Sequence, residues 1–156
     1  MDAITALIVK TTYTLSDFQV RLRLLRSYYD HKFFGSPLDI EESDKSWLKG
    51  ITTEIDSLVN QTNYQTAFQK VETWLKNLDP LILGLPAKLS TEQLSKIADR
   101  IRQELGKDFL FELRYQPELI GGVVLIWKGK YYDYSFKKKL KDHDEQIKKI
   151  IRGYFS

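Results

Sequence analysis

The residues able to do chemistry are few and badly spaced for it. The 156-residue chain has no cysteine, which excludes thiol catalysis, disulfides, iron–sulfur clusters and cysteine zinc sites. Its two histidines, His31 and His143, lie 112 positions apart, far from any histidine zinc spacing. Asp39, Glu41, Glu42 and Asp44 form an acidic run, but without the glycine and terminal glutamate of a calcium loop they read as a solvated linker. Gly121 and Gly122 lack the lysine that would make a phosphate cradle, and no nucleophile elbow is present. Asp133 and Ser135 read as an N-cap pair for a following helix and not as a catalytic pair. No catalytic group, cofactor site or metal site is expected.

What remains is binding chemistry. Residues 128–140 interleave lysines with Tyr131, Tyr132, Tyr134 and Phe136. Such a stretch can hold single-stranded nucleic acid through phosphate contacts and stacking. The preferred alternative is a hairpin with one aromatic face inward and one lysine-rich face in water. Charge is uneven along the chain. Residues 1–85 carry 9 Lys/Arg against 11 Asp/Glu, and residues 86–156 carry 15 against 10. Two parts with different partners are expected from that asymmetry.

The elements that position these residues follow from periodicity. Ile4, Leu7 and Ile8 predict a short first helix. Ser16 and Gln19 predict a capping box opening a second. Its stripe, Phe18, Leu22, Leu25, Tyr29 and Phe33, recurs at spacings of four, three, four and four, and Gly35-Ser36-Pro37 ends it. Trp47, Leu48, Ile51, Ile55, Leu58 and Val59 form the apolar face of a third helix. Tyr64, Phe68, Val71, Leu75 and Leu78 mark a fourth, stopped at Asp79-Pro80. Residues 81–88, with Gly84 and Pro86, read as an apolar connector and the domain boundary.

Beyond it, Ser90 and Gln93 make a second capping box, followed by the stripe Leu94, Ile97, Ile101 and Leu105, with Gly106 as C-cap. Period-two alternation from Phe109 to Tyr115 predicts a strand. A second strand is expected over 122–127 and a third over 130–134, joined by Lys128-Gly129. One long basic helix should run from Ser135. The expected fold is α+β, with a helical bundle over 1–83 and an α-β-β-β-α unit over 84–156. The longest apolar run, residues 119–127, is short of the about 20 residues a membrane span needs. The N-terminus does not fit a secretory signal, since Asp2 stands where basic residues should be.

Gln116, Pro117, Glu118, Leu119, Ile120, Gly121, Gly122, Val123, Val124 and Leu125 form a segment that resembles a known signature. It is that of the delta subunit of F-type ATP synthases, the oligomycin-sensitivity-conferring family. Tyr132, Asp133, Tyr134 and Ser135 resemble the family's later motif. Leu89 to Leu94, and Gly106-Lys107, resemble its helix start and helix end. Gln116 stands where the family usually has Asp, and Tyr134 where it has Gly. The resemblance implies a non-catalytic stator subunit in the peripheral stalk of a proton-translocating ATP synthase, at the cytoplasmic face of the membrane. It further implies that the N-terminal part grips the N-terminal helix of an alpha subunit and the C-terminal part binds the C-terminal end of the b subunit. Pro117, Leu119, Ile120, Gly121, Gly122, Asp133 and Ser135 are then structural motif residues. Phe18, Leu22, Leu25, Trp47 and Ile51 are candidate contacts to the catalytic head. A small nucleic-acid-binding protein is the alternative reading.

Overall fold

The computed structural model describes residues 1–105 and 109–154. Four helices come first: α1 (Ala3–Thr11), α2 (Leu15–Phe34), α3 (Glu42–Ile55) and α4 (Tyr64–Lys76). Asp2 caps α1, its carboxylate accepting from the Thr5 amide at 3.0 Å. The start of α2 differs from the expected Ser16 box. Thr14 is extended and its hydroxyl accepts from the Asp17 amide at 3.1 Å, so Ser16 falls inside the first turn. Gly35 closes α2 in the left-handed region, as the sequence predicts.

The apolar stripes of these helices meet in one core. Phe18, Leu25, Tyr29, Ile55, Phe68 and Val71 are fully buried there. Burying each such side chain contributes about 1.5–3 kcal/mol. Tyr29 sits among Phe33, Tyr64 and Phe68, with ring centroids 5.5–6.3 Å away. Its hydroxyl donates to Asp56 at 2.8 Å, and Tyr64 donates to Asp30 at 2.7 Å, so both buried phenols keep a polar partner.

The second part contains β1 (Leu81–Leu85), α5 (Thr91–Leu105), β2 (Phe111–Tyr115), a 3₁₀ turn (Pro117–Leu119), β3 (Val124–Trp127) and β4 (Lys130–Asp133). Two short helices follow, α6 (Phe136–Asp142) and α7 (Asp144–Tyr154). The sheet order is β2-β1-β3-β4, with β1 and β2 parallel and the other pairs antiparallel. The α+β class holds, with four strands instead of three. The expected connector is a central strand, and a boundary between residues 83 and 84 would cut through it. Its Gly and flanking prolines look like punctuation, yet a strand buried on both faces carries a continuous apolar run. Leu81, Leu83 and Leu85 turn toward α5, where Ala98, Leu94, Ile97 and Ile101 complete a second core. The Ser90–Gln93 capping box forms as expected, with both reciprocal hydrogen bonds in place (2.9 and 3.3 Å). The predicted Gly106 C-cap and the Gly106-Lys107 match lie outside the described residues.

The single terminal helix expected is two helices. His143 leaves helical geometry (φ −110°, ψ 12°), and its imidazole Nδ1 lies 2.8 Å from the Lys139 carbonyl oxygen. That contact competes with continuation of the helix.

The two parts are joined by more than the chain. The Phe111 amide donates to the Tyr13 carbonyl at 3.3 Å, and Thr14 forms a parallel bridge with Phe111. Arg102, reaching from α5, donates to the carbonyls of Val9 (2.8 Å) and Thr12 at the end of α1. Its guanidinium lies 5.4 Å from the Tyr13 ring centre. Leu110 packs in the helical core and Phe111 in the sheet core, so adjacent residues belong to both.

Candidate functional site

The motif residues converge on one corner of the sheet. The Gln116 amide donates to the Leu85 carbonyl at 2.8 Å, which ties the end of β2 to the central strand. Pro117 opens the 3₁₀ turn, where its missing N–H costs nothing. Leu119 is buried and pins the turn. Ile120 then takes φ 65° and ψ −39° with its side chain 68% exposed. The Gly121 carbonyl accepts from the Phe136 amide at 3.0 Å, and the Val123 carbonyl accepts from Tyr134 at 2.9 Å. Gly122 has φ +81°, and a Cβ there would lie 2.4 Å from the Tyr134 carbonyl oxygen. The glycine therefore lets the loop and the start of α6 approach backbone to backbone.

Asp133 and Ser135 complete the corner. Asp133 accepts from the Ser135 amide at 2.9 Å, and the buried Ser135 hydroxyl accepts from the Lys138 amide at 3.2 Å. The Ser135 hydrogen bonds hold the Asp133 carboxyl below its usual range, with Lys138 and Lys137 adding to the effect. The pair thus caps α6, as the sequence predicts, and the structure brings all seven motif residues into one clasp.

Of the five candidate head contacts, four are core residues and one is half-buried. Phe18, Leu22, Leu25 and Ile51 are buried in the helical core. Trp47 is half-buried: its indole N–H donates to the Thr11 hydroxyl at 3.1 Å, and Arg21 lies 4.5 Å over its ring. Two grooves of this part lie beside α1, and the first includes two of the five candidates. One shallow groove runs between α1 and α3, lined by Leu7, Lys10, Trp47, Gly50 and Ile51. Another runs between α1 and α4, lined by Ile4, Leu58, Ala67 and Lys70. The signal for the first was Gly50, a residue without a side chain on a helix face. Nothing in the periodicity of α1 marks it as the wall of both.

No metal or acid–base centre emerges among the described residues. No group of three or more His, Asp or Glu side chains there is placed to hold a metal ion. Asp44 pairs with Arg21 (2.5 Å) and Glu42 with Lys45 (2.6 Å). His31 and His143 each lie against a local carbonyl, at 2.7 and 2.8 Å. Large apolar side chains are exposed around the clasp, notably Tyr131, Tyr134, Phe136 and Leu140. Lys137, Lys138, Lys139 and Lys141 rim them.

The described residues thus form a helical core joined to a small mixed sheet. The family model of the ATP synthase delta (OSCP) subunit matches residues 65–147, more than half of the chain. The chain belongs to that family, and it is a subunit of the ATP synthase peripheral stalk. No curated protein matches it. The family is a structural component of a membrane-associated complex. No described helix is long and apolar enough to cross a membrane.

Proposed function

We propose that this chain is the non-catalytic stator link between the catalytic head of an F-type ATP synthase and its b-subunit stalk. The helical part meets the head by receiving the N-terminal helix of an alpha subunit. The grooves beside α1 suit an amphipathic helix. The α+β part meets the C-terminal end of the b subunit, at the cytoplasmic face of the membrane. The observation that carries this reading is the family match across α4 to α7, the region that holds the complete motif clasp.

A stator must transmit torque without yielding. The Arg102 and Phe111 contacts between the two parts suit that task, because load on one is passed to the other through hydrogen bonds and packing as well as the chain. Electron cryo-microscopy of the native ATP synthase should find this chain at the top of the peripheral stalk. A purified complex that is complete without it would overturn the proposal.

A further inference from the structure

Arg102 is a charged side chain placed where an apolar one would pack at less cost. It leaves α5, in the sheet part, and lies against the end of α1, in the helical part. Its Nη2 donates to the carbonyls of Val9 (2.8 Å) and Thr12. Its Nε is buried and has no hydrogen-bond partner among the described residues. Burial disfavours the charge, and Tyr13 and Asp99 offset only part of that. A methionine would fill the same gap without the desolvation penalty. What the guanidinium adds is position. Carbonyls in the last turn of a helix lack partners within it, and a cation there also meets the negative end of the helix dipole. Arg102 therefore fixes where α1 ends.

The end that it fixes is the end that lines a groove. Leu7, Lys10 and Thr11 line the groove between α1 and α3 together with Trp47 and Ile51. Val9 and Thr12, whose carbonyls Arg102 holds, flank Lys10 and Thr11 in the chain. The Thr11 hydroxyl accepts from the Trp47 indole N–H at 3.1 Å, which ties the two walls together. A shift of the α1 end thus moves the wall and the Trp47 contact at once. The groove between α1 and α4 differs, because α1 gives it Ala3 and Ile4 from its first turn. Ile4 lies roughly 8 Å along the helix from Val9.

We propose that Arg102 is a positioning residue for the groove between α1 and α3, so that the sheet part sets how tightly the helical part holds a helix there. The coupling is reciprocal: a helix bound in the groove tightens the joint at Arg102 and Phe111. That the helix is the N-terminal helix of an alpha subunit rests on the stator reading.

The test uses the full chain and a peptide spanning the N-terminal helix of the alpha subunit from the same organism, at a temperature where circular dichroism shows each variant folded. In titration calorimetry, Arg102→Met should weaken binding about fivefold or more. It should also shift the indole N–H resonance of Trp47. Arg102→Lys keeps a charged donor and should recover part of the affinity; it carries the comparison if Arg102→Met does not fold. Gly129→Ala lowers stability at the β3–β4 turn, on the opposite side of the sheet from the Thr14–Phe111 bridge. It should leave affinity and the Trp47 resonance unchanged. Bound peptide should slow hydrogen exchange at the Phe111 amide in wild type, and less so in Arg102→Met. Equal affinity of Arg102→Met and wild type overturns the inference and leaves the stator reading intact. Equal weakening by Gly129→Ala does the same, since the loss is then one of general stability. Wild type that fails to bind the peptide overturns the inference alone if the chain is present in purified ATP synthase, and the stator reading with it if the chain is absent.

Discussion

Replacing Gly122 by alanine tests the clasp most directly. Gly122 has φ +81°, so any L side chain there carries a backbone penalty of about 1–2 kcal/mol. A Cβ would also sit 2.4 Å from the Tyr134 carbonyl oxygen and 2.9 Å from the Ser135 Cα. These are backbone atoms and cannot rotate away. To make room, the loop must withdraw from α6 and weaken the Phe136–Gly121 and Tyr134–Val123 hydrogen bonds. Such bonds are worth about 1 kcal/mol each. The sum is about 2–4 kcal/mol, which for a chain of this size lowers Tm by roughly 5–15 °C. Two controls separate the contributions. Gly129 has φ +72° but open space around its Cβ position, so Gly129→Ala should cost only the backbone penalty. Gly50 is helical and also open, so Gly50→Ala should stabilise by about 0.5–1 kcal/mol. Urea titration followed by circular dichroism measures all three. If Gly122→Ala costs no more than Gly129→Ala, the close approach does not matter and the reasoning is refuted.

Burial, followed by the Asp56 hydrogen bond, pushes the Tyr29 phenol well above its ordinary value. Burial, followed by Asp30, pushes Tyr64 up to about 12. Raised values mean that their contribution to stability is intact below pH about 10 and is lost as pH rises toward 12. Absorbance titration should therefore show two of the nine tyrosines ionising late, in step with unfolding. Burial alone would raise Asp56, but the hydrogen bonds from Lys32 and Tyr29 outweigh it and leave the carboxyl low. Its stabilising effect is thus present above about pH 4 and fades as pH falls further, and Asp56→Asn should flatten the acid limb of the stability curve. Arg102→Met removes the charged donor from the Val9 and Thr12 carbonyls and should cost about 1–3 kcal/mol. Hydrogen exchange should then accelerate at the Tyr13–Phe111 contact before it does in either core, and unchanged protection there would show that Arg102 does not hold the joint.

Much of this architecture is legible in the chain because it is local. The stripes of α2 to α5 repeat within a few residues, and so do the Ser90–Gln93 box, the Lys128-Gly129 turn and the Asp133–Ser135 cap. Each is decided by neighbours that the sequence places side by side. The glycine pair was likewise readable as a structural feature, although its partner, the Tyr134 backbone, was not. Tertiary structure alone decided the rest. A five-residue apolar run between prolines became the central strand only because β2 and β3 flank it. Arg102 reads as an ordinary basic residue in a helix until the fold sets it against carbonyls 90 and 93 positions away. Phe18, Leu22 and Leu25 are identical in pattern whether a partner or the chain itself covers them, and here α3 and α4 help to cover them. Periodicity says that a face is apolar. What buries it is set by contacts between segments far apart in the chain, and those are formed by folding and not by spacing.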